Sequence, residues 1–192
     1  CLLVDTGSYK VLIDTGMGVG VHPQRGPYEG KLRRVLSSEG VSEEAIDTVI
    51  LTHAHADHIG GSVDPTGRPV FSNAQHVLWK DEWAMPDGLK QMLIAAAREK
   101  LLSLEGSLHL IDSEDEIVPG VSAIEAKGHT PGHMAVSVTS QEETLLYISD
   151  AVLHPLHLEF PHWHTDFYDY DLAQAAATKR RLFSQSASEN TW

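Results

Sequence analysis

The stretch Thr52–Gly61 reads T-H-A-H-A-D-H-I-G-G, and it constrains this chain more than any other part of it. The apolar run Val49-Ile50-Leu51 in front of it reads as a buried β-strand. Gly60 and Gly61 behind it let the backbone turn tightly away. Four potential metal ligands, His53, His55, Asp57 and His58, therefore leave one strand end together and point into one small volume. Imidazoles with a carboxylate suit a divalent ion, zinc first, with manganese, iron or cobalt as other fits. A solvated histidine tract would need neither the strand nor the glycine pair.

The remaining sequence fits a soluble globular domain. A length of 192 residues suits one domain, 1–192, with enough chain for a real core. The formal charge of −13, from 14 basic and 27 acidic residues, argues against a nucleic-acid surface. Lys31, Arg33 and Arg34 lie close together but read as the solvated face of a short helix. The single cysteine, Cys1, excludes an internal disulfide framework and a thiolate zinc site. No apolar run reaches the length of a membrane span, so no membrane partner is expected and the default location is cytoplasmic. The chain opens without Met, on the strand-like Cys1–Val4, which reads as a cut inside a hairpin that could have removed a targeting segment. The assembly is left open, a homodimer included.

Residues 1–16 read as a β-hairpin joined at Gly7-Ser8. Residues 17–30 are a Gly- and Pro-rich loop, and 31–39 a short helix ended by Gly40. The strand Thr48–Leu51 leads into the histidine motif. Residues 69–79 are strand-like and 80–88 irregular around Pro86. Residues 89–104 carry the clearest helical pattern, and 171–186 form a last helix. Between them, Leu108–Ile111, Val121–Ala126, Met134–Val138 and Thr144–Ile148 read as successive strands. Mixed strands and helices make the class α/β or α+β.

Three more strand ends carry polar residues. G-H-T-P-G-H at Gly128–His133 places His129 and His133 after a strand, with Pro131 and Gly132 forcing a turn. Y-I-S-D ends another apolar run on Asp150, and V-L-I-D-T-G ends one on Asp14. Gathered at one sheet edge, these groups join the first motif in a cluster in which Asp150 is able to bridge two metals.

Together, V-L-I-D-T-G, T-H-A-H-A-D-H-I-G-G, G-H-T-P-G-H and Y-I-S-D-A resemble the metallo-β-lactamase-fold hydrolases, in order and spacing, from about residue 2 to the end. The resemblance implies a four-layer αββα sandwich with a dinuclear site. His53, His55 and His129 would hold the first ion, Asp57 and His58 the second, with Asp150 bridging. Asp14 and His133 would support the ligand loops from behind. The family's last metal-ligating His, expected after the final helix, has no counterpart before Trp192, so the chain reads as a fragment truncated at both ends.

Two close divalent ions would lower the pKa of a shared water and hold it as a bridging hydroxide, with Asp57 as the catalytic carboxylate that orients it or shuttles its proton. The segment A-V-L-H-P-L-H-L-E-F-P-H-W after Asp150 is similar to the lactonase and methyl parathion hydrolase-like subgroup. That implies a small neutral substrate: an ester, a lactone or a phosphotriester. His154, His157 and Trp163, with Phe160, Phe167 and Tyr168, would line the cleft, and His162 and His164 lie in the same loop. The alternatives are a glyoxalase-II-like thioesterase, whose anionic glutathione tail calls for basic residues this acidic chain offers sparingly, and a non-catalytic metal-binding fragment. Two D-T-G triplets, at Asp5 and Asp14, sit on one hairpin and so do not make an aspartic-protease pair.

Overall fold

Strands buried on both faces read as unbroken apolar runs, and the first half of the chain is built on three of them. The computed structural model describes residues 1–19, 30–84, 95–163, 168–189 and 191–192. These fall into two compact units: Cys1–Leu78 with Ala84–Leu110, and Trp79–Trp83 with Ile111–Trp192.

The first unit holds a five-stranded sheet in the order β1-β2-β3-β4-β5. The hairpin pairs β1 (Leu2–Asp5) with β2 (Lys10–Ile13) in antiparallel register, Leu3 opposite Leu12. Its turn is closed by the Asp5 carboxylate, which accepts from the Gly7 N–H at 2.8 Å, and by Thr6, which accepts from the Tyr9 N–H at 2.9 Å. From β2 onward the sheet is parallel: β2 pairs with β3 (Thr48–Ile50), and β3 with β4 (Gln75–Trp79). Val11, Ile13, Val49, Ile50, Val77 and Leu78 have no exposed surface, and burial on both faces explains why these runs do not alternate. β5 (Leu108–Ile111) completes the sheet.

Helix α1 (Lys31–Ser38) keeps Leu36 inward and leaves Lys31, Arg33 and Arg34 exposed, as expected, with the Arg33 guanidinium paired to Glu43. Nothing in the sequence signalled α2 (Ala56–Ile59), a single turn inside the histidine motif. The strand expected over 69–79 is ordered as a strand only from Gln75. Pro69 has no N–H to donate, and Phe71 to Ala74 close a turn through the Ala74 N–H to the Phe71 carbonyl at 3.0 Å. Directly after β4, α3 (Lys80–Trp83) makes a helical turn where an irregular stretch was expected. Of the helix expected over 89–104, α4 (Ala95–Ser103) is present, and residues 89–94 lie outside the described residues, as does Pro86.

The second unit holds a four-stranded antiparallel sheet in chain order: β6 (Asp115–Val118), β7 (Val121–Glu125), β8 (Met134–Ser140) and β9 (Glu143–Tyr147). β6 escaped the sequence reading because D-E-I-V carries two carboxylates on an exposed edge strand and so reads as an acidic turn. Ala126, Ala135, Ala151 and Leu182 form a buried cluster, with Ile124, Leu146 and Ile148 packed on it. Past β9, α5 (Leu156–Glu159) is a single turn, and α6 (Leu172–Glu189) supplies Leu182. α6 starts at Asp171, whose carboxylate accepts from the Gln174 N–H at 2.9 Å and satisfies one of the helix's free donors. Among the described residues no helix is long and apolar enough to cross a membrane.

Candidate functional site

Strand β2 ends at Ile13, and the next residue, Asp14, turns into the left-handed region at φ 58°. That conformation is costly for most side chains but tolerated by Asp. It places the Asp14 carboxylate, 1% exposed, beneath the end of β3. There it accepts from the Thr52 N–H at 2.9 Å and from the Thr52 hydroxyl at 3.0 Å. It also lies 2.8 Å from His58 Nδ1.

This network sets the histidine tautomers. Nδ1 of His58 donates to Asp14, so the lone pair of His58 is on Nε2. The Thr52 hydroxyl spends its single proton on Asp14 and therefore accepts from His53 Nδ1 at 3.2 Å, which puts the lone pair of His53 on Nε2 as well. One carboxylate thus orients two imidazoles, one directly and one through Thr52. The sequence reading missed Thr52, which carried no signal beyond its place before His53.

The three imidazoles of the motif converge. His53 and His55 ring centroids are 4.6 Å apart, and those of His53 and His58 are 4.0 Å apart. His53 Nε2 and His55 Nδ1 lie 3.0 Å from one another. His53 and His55 follow β3 two residues apart, His55 in extended backbone, and α2 then brings His58 beside His53. Asp57 sits in the first turn of α2 and is exposed.

The tight turn after the motif depends on glycine. A Cβ on Gly60 would lie 1.9 Å from the Met17 carbonyl oxygen, so no other residue lets the motif pack against the chain leaving β2. That packing is hydrogen-bonded: the Thr15 N–H donates to the His58 carbonyl at 2.7 Å, and the Gly61 N–H to the Gly16 carbonyl at 3.1 Å.

In the second unit, His129 and Asp150 face each other, with Nε2 3.6 Å from the Asp150 carboxylate. His129 Nδ1 lies 3.2 Å from the carboxylate of Asp169. His133 is fully buried, its Nδ1 3.0 Å from the Ala126 carbonyl and its ring 5.7 Å from that of His129. The Gly132 N–H donates to the buried carboxylate of Glu82 at 2.9 Å, which pins the turn between the two histidines. Asp169 and Glu82 were not anticipated; their partners lie 40 and 50 residues away in sequence. Asp150 follows Ser149, which holds a left-handed φ of 47°.

Of the expected cleft residues, His154 is exposed and accepts from the Leu156 N–H at 3.2 Å. His157 is buried, and burial, with the nearby Lys179 charge, lowers its pKa. Trp163 is 45% exposed and stacks on Phe160 at 4.5 Å, and Tyr168 is exposed. His164 and Phe167 lie outside the described residues.

The donor sets fit divalent cations. In the first unit His53 Nε2 lies beside His55 Nδ1, and in the second His129 Nε2 faces the Asp150 carboxylate, so each unit gathers ring nitrogens or carboxylate oxygens of the kind a divalent cation takes. The donors are imidazole and carboxylate without thiolate, which suits zinc and its first-row neighbours.

The family model of the metallo-beta-lactamase superfamily matches residues 1–188. An N-acyl homoserine lactonase of Bacillus cereus is 23% identical over 164 residues, covering 78% of this chain and 61% of the relative. The chain thus spans about three fifths of the length of that curated relative. A probable metal-dependent hydrolase from Staphylococcus aureus superposes with a TM-score of 0.87 at 27% identity, over 99% of this chain and 70% of its own. AidC, a dizinc quorum-quenching lactonase solved in complex with a product, superposes with a TM-score of 0.82 at 31% identity, over 97% of this chain and 67% of its own. The mixed α/β class with two sheets agrees with these structures. With its ordered histidine motif, its two sheets and a family match over nearly its whole length, the chain belongs to the metallo-beta-lactamase superfamily.

Proposed function

We propose that the two units act as one domain, that of a dinuclear metallohydrolase whose substrate is a lactone or another small neutral ester. The observation that carries this reading is the Asp14–Thr52–His53 chain with its branch to His58. It presets two lone pairs within the motif, an arrangement a merely structural histidine cluster does not need. The relatives named as lactonases supply the substrate class, and the net charge of −13 on this acidic chain suits an uncharged substrate.

In this reading His53, His55 and His129 would hold one ion and Asp57 and His58 the other, with Asp150 as a further carboxylate ligand. Bound zinc, or another divalent ion, supplies Lewis acidity that lowers the pKa of water and polarises the scissile carbonyl. Asp57, exposed at the start of α2, holds the proton taken from the attacking water and returns it to the leaving oxygen. Asp14, through Thr52 and His58, keeps the imidazoles from rotating. Phe160 and Trp163 offer a stacked aromatic face to the apolar part of the substrate.

Elemental analysis of protein purified without added metal, followed by ester, lactone, phosphotriester and thioester hydrolysis assays, tests the reading. About two zinc ions per chain and lactone or ester turnover abolished by chelator and by His53→Ala are expected. Absence of metal from folded protein supplied with zinc would overturn the metallohydrolase. Turnover of the thioester alone would overturn the substrate class.

A further inference from the structure

The carboxylate of Asp169 approaches His129, a proposed metal ligand, at the ring nitrogen other than the one facing Asp150, and no motif in the sequence marks it. Its side chain and that of His129 are 4% and 2% exposed. One oxygen lies 3.2 Å from His129 Nδ1, while His129 Nε2 lies 3.6 Å from Asp150. A carboxylate at Nδ1 accepts, so it places the ring proton there.

The backbone around this pair is clamped. The Tyr170 N–H donates to the His129 carbonyl at 3.1 Å, and the Asp171 N–H to the Gly128 carbonyl at 2.9 Å. About two turns further along α6, the Thr178 hydroxyl donates to the Lys127 carbonyl at 2.6 Å. Three successive carbonyls, at 127, 128 and 129, are thus held from the segment that carries Asp169. The carboxylate is therefore fixed relative to the imidazole before any ligand arrives.

A buried carboxylate needs compensation. Lys179, one α-helical stretch further, is 1% exposed. Burial lowers its pKa, attraction to Asp169 opposes that shift, and its ammonium donates to the Trp163 carbonyl at 2.7 Å. The buried cation and the buried carboxylate thus favour each other's charged form.

We propose that Asp169 is a positioning residue: it holds the His129 proton on Nδ1 and so aims the Nε2 lone pair toward Asp150, presenting a ready-made imidazole to the metal. The inference rests on the metallohydrolase reading for its consequence, but the tautomer itself is a property of the metal-free chain. A purely structural Asp169 would tie down the loop without determining which ring nitrogen carries the proton.

The test is nitrogen-15 NMR of the histidine side chains in metal-free protein at a pH where imidazole is neutral, paired with zinc affinity measured by competition with a chromophoric chelator. Wild type is expected to show His129 protonated at Nδ1. In Asp169→Asn the amide keeps the size but can donate to Nδ1, so the proton is expected to move onto Nε2 in a large part of the population. Zinc affinity is expected to fall about 10- to 100-fold with it. Wild type protonated at Nε2 overturns the proposal without recourse to any variant. So does an Asp169→Asn protein with the wild-type tautomer and wild-type affinity. Failure of wild type to bind zinc would sink the metallohydrolase reading, while the tautomer measurement would still decide the role of Asp169.

Discussion

At the scale of single residues, the candidate site is governed by hydrogen-bond bookkeeping around a few buried carboxylates. Asp14 serves three donors at once: the Thr52 N–H, the Thr52 hydroxyl and His58 Nδ1. Its removal leaves those donors with one buried acceptor fewer, and such losses are costly. Asp14→Ala is therefore expected to release both His53 and His58 from their preset orientation. Zinc affinity should drop by about 10- to 100-fold, the range typical for partners of metal-bound histidine. Competition with a chromophoric chelator measures this, and an unchanged affinity would show that the imidazoles orient without Asp14. The three histidines and the one aspartate of the motif were legible because their spacing is local. Thr52, Asp169 and Glu82 were not, since each acts through a partner 38 to 50 residues distant, or through one that is.

At the scale of elements, helix α6 holds the loop that carries His129. Its buried positions Ala175, Ala176, Thr178, Lys179 and Leu182 recur at helical spacing, and the small ones let the loop at Lys127–His129 come close. Gly128, at φ 131°, touches the helix so tightly that a Cβ there would lie 2.3 Å from the Ala175 nitrogen. Gly128→Ala combines backbone strain with a clash against helix backbone that has no flexible end to yield. A destabilisation of about 3 kcal/mol or more is expected, read by urea unfolding of the metal-free protein. A loss under about 1 kcal/mol would mean that the helix and loop separate freely. Helix and strand positions were mostly visible in the hydrophobic pattern. The short α2 and α3 and the acidic edge strand β6 were not, because one helical turn is shorter than a period count can detect and D-E-I-V lacks alternation.

For the whole molecule, the folding equilibrium carries a histidine that has no part in the proposed chemistry. His76, in β4, has no exposed surface, and burial pushes its pKa down to about 4, opposed only weakly by the Ala74 carbonyl. Unfolded, it takes a proton near 6.5; folded, it resists until about 4. Between those values the unfolded state binds more protons, so stability rises with pH and falls on acidification, by up to about 3 kcal/mol from this one group. His76→Leu is expected to flatten the dependence of unfolding free energy on pH by about one proton across that window. Urea titrations at several pH values with chelator present measure it. Parallel pH profiles for the two proteins would show that His76 is not the acid-sensitive group.

The sequence by itself determined the family, the chain order of the apolar strands and longer helices, and the residue types able to bind metal. These depend on local spacing and on apolar runs that neighbouring residues alone define. Only the tertiary structure brought His53, His58 and His129 to the oxygens beside their Nδ1 atoms, and with them the choice of which nitrogen each ring presents. That choice depends on hydrogen bonds from Asp14, Thr52 and Asp169, whose partners meet only once β2, β3 and α6 have folded against their neighbours. A tautomer is a property of an imidazole's surroundings, and those surroundings come from distant parts of the chain.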